Sequence, residues 1–396
     1  MDVIRLLLIT TIASIIPGQI IRISPSSSSA ITLTDIMVAI TVVSFLIYSL
    51  IFRKPLILPK KIFFLALIFS QLALTSTIIA ANNFSLGQIL VSSLFLLRFI
   101  VYFLIVIVAA NVIQKNKVNQ WFDMTLIIGI IFAFIGLLQI ILIPDLSFLT
   151  IYGWDPHQNR LASSLIDPNF SGGLLTIFFA IALAMYLYKK NIKYLIATFI
   201  IFASIILTFS RSSYLALLTA VIVIGLVKSP KSLIITLLLF ALIIFASPNV
   251  RNRISGALTL DETSKARIES WQNGLSIFSH NYLFGVGFNT YRFAQEKYGN
   301  FSLDDPLGGH SGAGSDSSLI LTAATTGILG FSAFCLFILA IIKLITKNIA
   351  KDYQKLATAA AFFAILVHSQ FVNSLFYPQI MVLIWFLIGS SYAKNN

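Results

Sequence analysis

Seven arginines stand in the polar stretches that interrupt an otherwise apolar chain: Arg22, Arg160, Arg211, Arg251, Arg253, Arg267 and Arg292. A guanidinium is a planar fork that pairs two oxygens at once and stays ionised, so a set of them on one side of a molecule suits a phosphate-bearing or acidic ligand. The plainer alternative is rim salt bridges and lipid headgroup contacts, each worth little. The histidines, His157, His280, His310 and His368, share these stretches or lie at their edge. No pair of them has metal-ligand spacing, and the one cysteine, Cys335, sits in an apolar run, so neither a metal nor a disulfide framework is expected.

These groups need elements to hold them. Of 396 residues, 58% are hydrophobic and 10% charged, against about 25% charged in a soluble domain. Such a chain needs lipid around it. Twelve apolar runs are long enough to be read as membrane helices, at 3–21, 33–52, 62–80, 90–113, 122–143, 170–188, 193–209, 212–227, 232–247, 316–345, 356–372 and 376–393. Backbone groups cannot stay unpaired in lipid, so an all-α integral membrane fold is expected. The first run lacks a small-residue cleavage site and starts Met1-Asp2, which argues for a helix rather than a signal peptide.

The bases orient the bundle. With both termini in the cytoplasm, every short inward loop carries Lys or Arg. Inward bases are almost all lysine, with Arg5 and Arg53 the exceptions; outward ones are arginine apart from Lys265 and Lys297. The net charge of +13 therefore serves topology, and no nucleic-acid partner is expected. The chain divides into helices 1–9 over 1–247, an extracytoplasmic segment over 248–315, and helices 10–12 over 316–396.

Within that outer segment, 264–279 reads as a short amphipathic helix lying against the membrane surface. Arg267 and Trp271, four residues apart, share a face. Gly285 and Gly287 permit a tight turn or a close backbone approach, and lack the third glycine and βαβ setting of a dinucleotide site. Gly327 and Gly330 read as helix-packing glycines. Asn169, after Asp167-Pro168, suits a turn or cap, and Asp316, at the mouth of the tenth run, suits an N-cap.

Several stretches resemble the O-antigen ligase and polymerase superfamily of membrane glycosyltransferases, and they run in that family's order. They are Asp167-Pro168-Asn169-Phe170, Leu207-Thr208-Phe209-Ser210-Arg211-Ser212, Arg267-Ile268-Glu269-Ser270-Trp271 with Gly285-Val286-Gly287-Phe288, and Asp316-Ser317-Ser318-Leu319 leading to Thr326-Gly327-Ile328-Leu329-Gly330-Phe331. The resemblance implies a GT-C-type enzyme of the cell (inner) membrane. Such an enzyme transfers a polyprenyl-diphosphate-linked glycan, on the outer face and without metal or cofactor, to a glycan, lipid or protein acceptor. Arg211 and Arg267 match motif arginines and would bind the diphosphate, with Arg160 and Arg292 placed beside them by loop and charge alone. Trp271 could stack on a sugar ring, and Asn169 could join the glycan contacts. The family's late-helix histidine is replaced here by Asp316, with His310 six residues earlier, so the proton acceptor is Asp316 or His310. The rival class is a secondary transporter, which would place ionisable groups at midplane. Arg98 is the clearest deep charge, with Asp35 and Asp123 near helix ends.

Overall fold

The computed structural model describes residues 1–26, 29–300 and 314–393. His310 lies outside the described residues. Each of the twelve apolar runs contains a helix. In chain order these are α1 (Asp2–Ala13), α2 (Leu33–Ile51), α3 (Lys60–Ala80), α4 (Leu86–Phe103) with α5 (Ile105–Val112), α6 (Val118–Leu142), α7 (Pro168–Lys189), α8 (Ile192–Leu207), α9 (Arg211–Val227) and α10 (Pro230–Ala246). The outer segment adds α11 (Pro248–Leu258), α12 (Glu262–His280) and α13 (Tyr291–Lys297). Then come α14 (Ser318–Thr346), α15 (Tyr353–His368) and α16 (Pro378–Ala393). By length and composition, six of the described helices can cross a membrane, or seven if the pair α10–α11, bent by 96°, counts as one. α8, α9 and most of α16 are shorter apolar helices.

Burial follows side-chain size. α7 lies at the centre, packed against α8, α9 and α15. Its Gly172 and Gly173 let those neighbours approach: a Cβ would stand 2.1 Å from Ser213 Oγ at the first and 2.9 Å from His368 at the second. α15 answers with Ala357, Ala359, Ala360, Ala361 and Ala364, all buried. Close approach of small residues is what holds helices together where lipid is as apolar as leucine. α10 has no buried residue, and Phe245 on it is 83% exposed, which suits a lipid-facing edge.

Four features depart from the sequence expectation, the last of them at Gly327. A two-stranded antiparallel hairpin, β1 (Arg22–Ser26) and β2 (Ser29–Thr32), follows α1, so the fold is helical with one small ribbon. The first apolar run stops being helical at Ala13 because Pro17-Gly18 lies ahead and Gly18 takes φ +53°. The expected amphipathic helix is present and longer, as α12, but it packs on α14. Its Gly274 brings Ile320 of α14 close, where a Cβ would be 2.5 Å away. The deep charge Arg98 is matched inside the bundle: its Nε lies 2.8 Å from Asp35 Oδ1, and Tyr102 donates to the same oxygen at 2.9 Å. Thr32 and Asp35 form a capping box that fixes this carboxylate at the start of α2.

Gly327 is a break rather than a packing glycine. Its φ of +64° and ψ of −172° interrupt α14, a backbone region open essentially to glycine alone. The freed groups are satisfied by the stretch after α12. Ile328 N–H donates to Tyr282 O, while Ala324 O and Thr325 O accept from Val286 and Gly287 N–H at 3.0 Å. Ser76 of α3 donates to Phe284 O and Thr325 O, and Thr77 accepts from Phe288 N–H. Gly285 and Gly287 thus make the close backbone approach their residue type permits, both at positive φ. Replacing Gly327 with Ala is expected to cost about 1–3 kcal/mol in strain alone, with a Cβ 2.3 Å from Leu283 O adding a clash. Thermal unfolding of the purified protein should show a clearly lowered midpoint for Gly327→Ala and none for Gly87→Ala, where a Cβ meets nothing within 4 Å.

Candidate functional site

The connections assigned outward by the base distribution meet at one end of the bundle, around a cleft of about 530 Å³. Gln19 and Arg22 come from the hairpin side, Asp155, His157 and Arg160 from the stretch before α7, and Arg211 from the start of α9. Arg253 comes from α11, Arg267 from α12, Asp316 from the stretch before α14, and Asn373 and Tyr377 from the α15–α16 connection. The bases assigned inward cluster elsewhere: Lys189 and Lys193 approach Asp123 at 3.9 and 3.5 Å, and Lys228 sits over Tyr188.

Local sequence explains how the cleft is built. Asp167 caps α7, its Oδ1 accepting from Asn169 N–H at 2.6 Å and Phe170 N–H at 3.1 Å. The cap is thus Asp167, and the Asn169 side chain is left to join segments. Asn169 Oδ1 accepts from Ser210 Oγ at 2.8 Å and from Arg160 at 3.5 Å, and its carbonyl meets His368 Nε2 at 3.1 Å. Phe209 turns at φ +47°, and Ser210 caps α9 through Ser213 N–H. That turn places Arg211 at the first position of the helix.

The arginines divide by what already occupies them. Arg211 pairs both terminal nitrogens with Asp261, and also donates to Arg253 O at 2.5 Å and Ser264 Oγ at 2.8 Å. Arg211 holds the Asp261 carboxyl far below its ordinary value, more than burial raises it. Asp261 also caps α12 through Ser264 N–H, so one carboxylate joins α9 to α12. Arg160 Nε donates to Thr208 O at 2.9 Å. Burial, with Arg253 nearby, pushes its pKa down to about 10. Arg267 is held more loosely: its Nε lies 3.8 Å from Asp316 Oδ2 and makes no hydrogen bond among the described residues. Burial lowers its pKa, and Asp316 partly restores it.

Asp316 is not the cap of α14. Ser317 is, through Ile320 N–H, while Asp316 N–H is held by Ser270 Oγ at 3.0 Å. Its half-buried carboxylate is left facing Arg267. Burial raises its pKa, and Arg267 opposes the rise.

Of the expected site residues, Arg160, Asn169, Arg211, Arg267 and Asp316 line the cleft. Arg292 does not; it sits on α13, where burial lowers its pKa. Trp271 is also outside the lining, its ring 5.7 Å from Phe371, which Arg267 meets from the same helix face. Arg22, Arg253 and His157, which the sequence reading names without giving them a role in the site, also line the cleft, as does Asp155. The excess of outward arginine marked the first two; only the chain fold joins the others. Donor atoms of Asp155, His157 and Asp167 lie within 4.8 Å of one another, the one set among the described residues with metal-like spacing. Burial first, then Arg160 and Arg253, lower the His157 pKa to about 4. The same two arginines oppose a cation there, and no metal is assigned.

A family model described as O-antigen ligase matches residues 196–335, from within α8 into α14. No curated protein matches the chain. The matched span contains Arg211, Arg253, Arg267 and Asp316; Arg160 and Asn169 precede it. Removing the charge of the α9–α12 clamp by Asp261→Asn is expected to leave the bundle folded and to loosen the α11–α12 turn. A loss of about 1–2 kcal/mol would speed protease cleavage near Leu260 roughly 5- to 30-fold, read by limited proteolysis with mass spectrometry.

Proposed function

We propose, for a chain that carries an O-antigen ligase domain over residues 196–335, that it is a membrane glycosyltransferase acting on a polyprenyl-diphosphate-linked glycan at the extracytoplasmic face. The observation that carries this reading is the convergence of Arg22, Arg160, Arg211, Arg253 and Arg267 from five separate segments on the cleft that also holds Asp316. Twelve crossings of the GT-C type, with both termini in the cytoplasm, fit the way the arginine-bearing and lysine-bearing connections gather at opposite ends. The setting is the cell membrane. A transporter reading loses its main support once Arg98 is paired with Asp35 within the bundle.

In the proposed reaction an acceptor hydroxyl oxygen attacks the anomeric carbon of the donor glycan, and the bond from that carbon to the diphosphate oxygen breaks. Charge builds on the departing polyprenyl diphosphate. Arginines aimed at that charge stabilise it, and need no metal to do so. Arg267 suits this role best, because its Nε is buried, makes no hydrogen bond among the described residues and lies beside the cleft. Arg211 acts by holding α12, and Arg160 by lining the wall. The hydroxyl proton passes to Asp316, whose raised pKa brings it closer to a usable base; His310 is the alternative. The acceptor is a glycan, a lipid or a protein.

The test is transfer in vitro from a polyprenyl-diphosphate oligosaccharide to candidate acceptors. Arg267→Lys keeps the charge and loses the fork, and should lower the rate roughly 10- to 150-fold, the equivalent of one charge-assisted contact of about 1.5–3 kcal/mol. A near-normal rate at normal expression removes Arg267 from the clamp. Asp316→Asn should abolish most activity without weakening the start of α14, because Ser317 supplies the cap. If Asp316→Asn stays active and His310→Ala does not, the histidine is the base.

A further inference from the structure

A second cavity, of about 780 Å³, lies against the first. The two share Arg160, Phe209, Arg211 and Arg253 as a common wall. On its other sides the second cavity is lined by Gln158 and Asn159 from the stretch before α7 and by Asn249 and Asn252 from α11. Asn249, Asn252 and Arg253 stand at i, i+3 and i+4, so α11 turns one polar face to the cavity, while its Val250 is fully buried on the other side. The side chains of Asn159, Asn249 and Asn252 make no hydrogen bond among the described residues.

The chemistry of this lining selects a ligand class. Phe209 and Pro156 are its only carbon-rich side chains, too little for a lipid tail. A second anion is poorly served: Arg211 is committed to Asp261 and Arg160 to backbone carbonyls, which leaves Arg253 alone to meet it, and the Asp261 carboxylate lines the same cavity. Carboxamides both donate and accept, which matches hydroxyl groups that do the same. The volume lies within the range of small-molecule sites.

We propose that this chamber binds an uncharged, hydroxyl-rich oligosaccharide, the glycan part of one of the two substrates. The proposal rests on the glycosyltransferase reading and deepens it: with the arginine wall between them, one cavity takes the diphosphate and the other takes sugar. The glycan belongs either to the donor or to the acceptor.

The test uses the full-length protein and two probes. One is the lipid-free oligosaccharide released by mild acid from the cell's own polyprenyl-linked glycan, followed by saturation-transfer NMR. The other is undecaprenyl diphosphate without sugar. Asn249→Leu with Asn252→Leu, both at exposed positions, should weaken oligosaccharide binding about tenfold or more, as expected for two or more lost hydrogen bonds, and leave undecaprenyl diphosphate binding within about twofold. No oligosaccharide signal in the wild type, or equal signals in wild type and variant, overturns the chamber. Failure of undecaprenyl diphosphate to bind the wild type overturns the glycosyltransferase reading instead, and the oligosaccharide result still judges the chamber. In the transfer assay a raised KM for the donor assigns the chamber to the donor glycan, and a raised KM for the acceptor assigns it to the acceptor. No change in either overturns the proposal.

Discussion

A backbone amide in hydrocarbon must find its partner inside the protein, at a penalty of several kcal/mol if it does not. That requirement governs the architecture from α14 outward. The helix breaks at Gly327, and the groups the break frees are taken up by residues 282–288 and by Ser76 and Thr77 of α3. The polar segment after α11 is therefore built into the bundle by backbone bonds. Its helix α12 is fixed at both ends, by the Arg211–Asp261 clamp at the start and by the stretch docked on α14 just after its end. A side chain carried on an element held in this way keeps its geometry better than one on a free loop. Arg267 is such a side chain.

Charge supplies the second constraint. Five arginines around one cleft repel one another, and the protein manages this by giving them unequal tasks. Arg211 is neutralised by Asp261, and Arg160 is spent on the carbonyls of the α8–α9 turn. Arg267 is left with the Asp316 carboxylate at 3.8 Å and an Nε that makes no hydrogen bond among the described residues. Burial first, and the neighbouring arginines second, lower the pKa of Arg160 and of the imidazole of His157.

How far the sequence revealed this depends on the kind of signal. Apolar length marks helices reliably, and every run produced one. Length alone does not mark where a helix breaks, because Gly327 looks the same in sequence as a glycine that lets two helices touch. The hairpin at 22–32 was hidden for a related reason: a short polar ribbon between two apolar runs has no periodicity to read. The motif resemblance picked out Arg211, Arg267, Asn169 and Asp316, loop and charge picked out Arg160, and all five line the cleft. Their separate duties were not legible. Nothing in the spacing says that Asp261 takes Arg211 rather than Arg267, or that Ser317 relieves Asp316 of capping, since both depend on how α12 packs on α14. Arg292 and Trp271 looked equivalent to their neighbours and face elsewhere.

The division between lysine and arginine gains its meaning from the two ends of the bundle. At one end Lys189, Lys193 and Lys228 make loose contacts, at 3.5 Å or more from Asp123 and over the rings of Tyr188, Tyr194 and Tyr353. A compact ammonium on a flexible stem is enough for that, and enough to set the orientation of a helix pair. At the other end Arg211 makes a forked bond to the Asp261 carboxylate and Arg160 directional bonds to the carbonyls of Thr208 and Phe209, which lysine cannot reproduce. The geometry of the guanidinium is what this end uses, and it is the common ground of the clamp on Asp261, the wall between the two cavities, and the site proposed for the diphosphate.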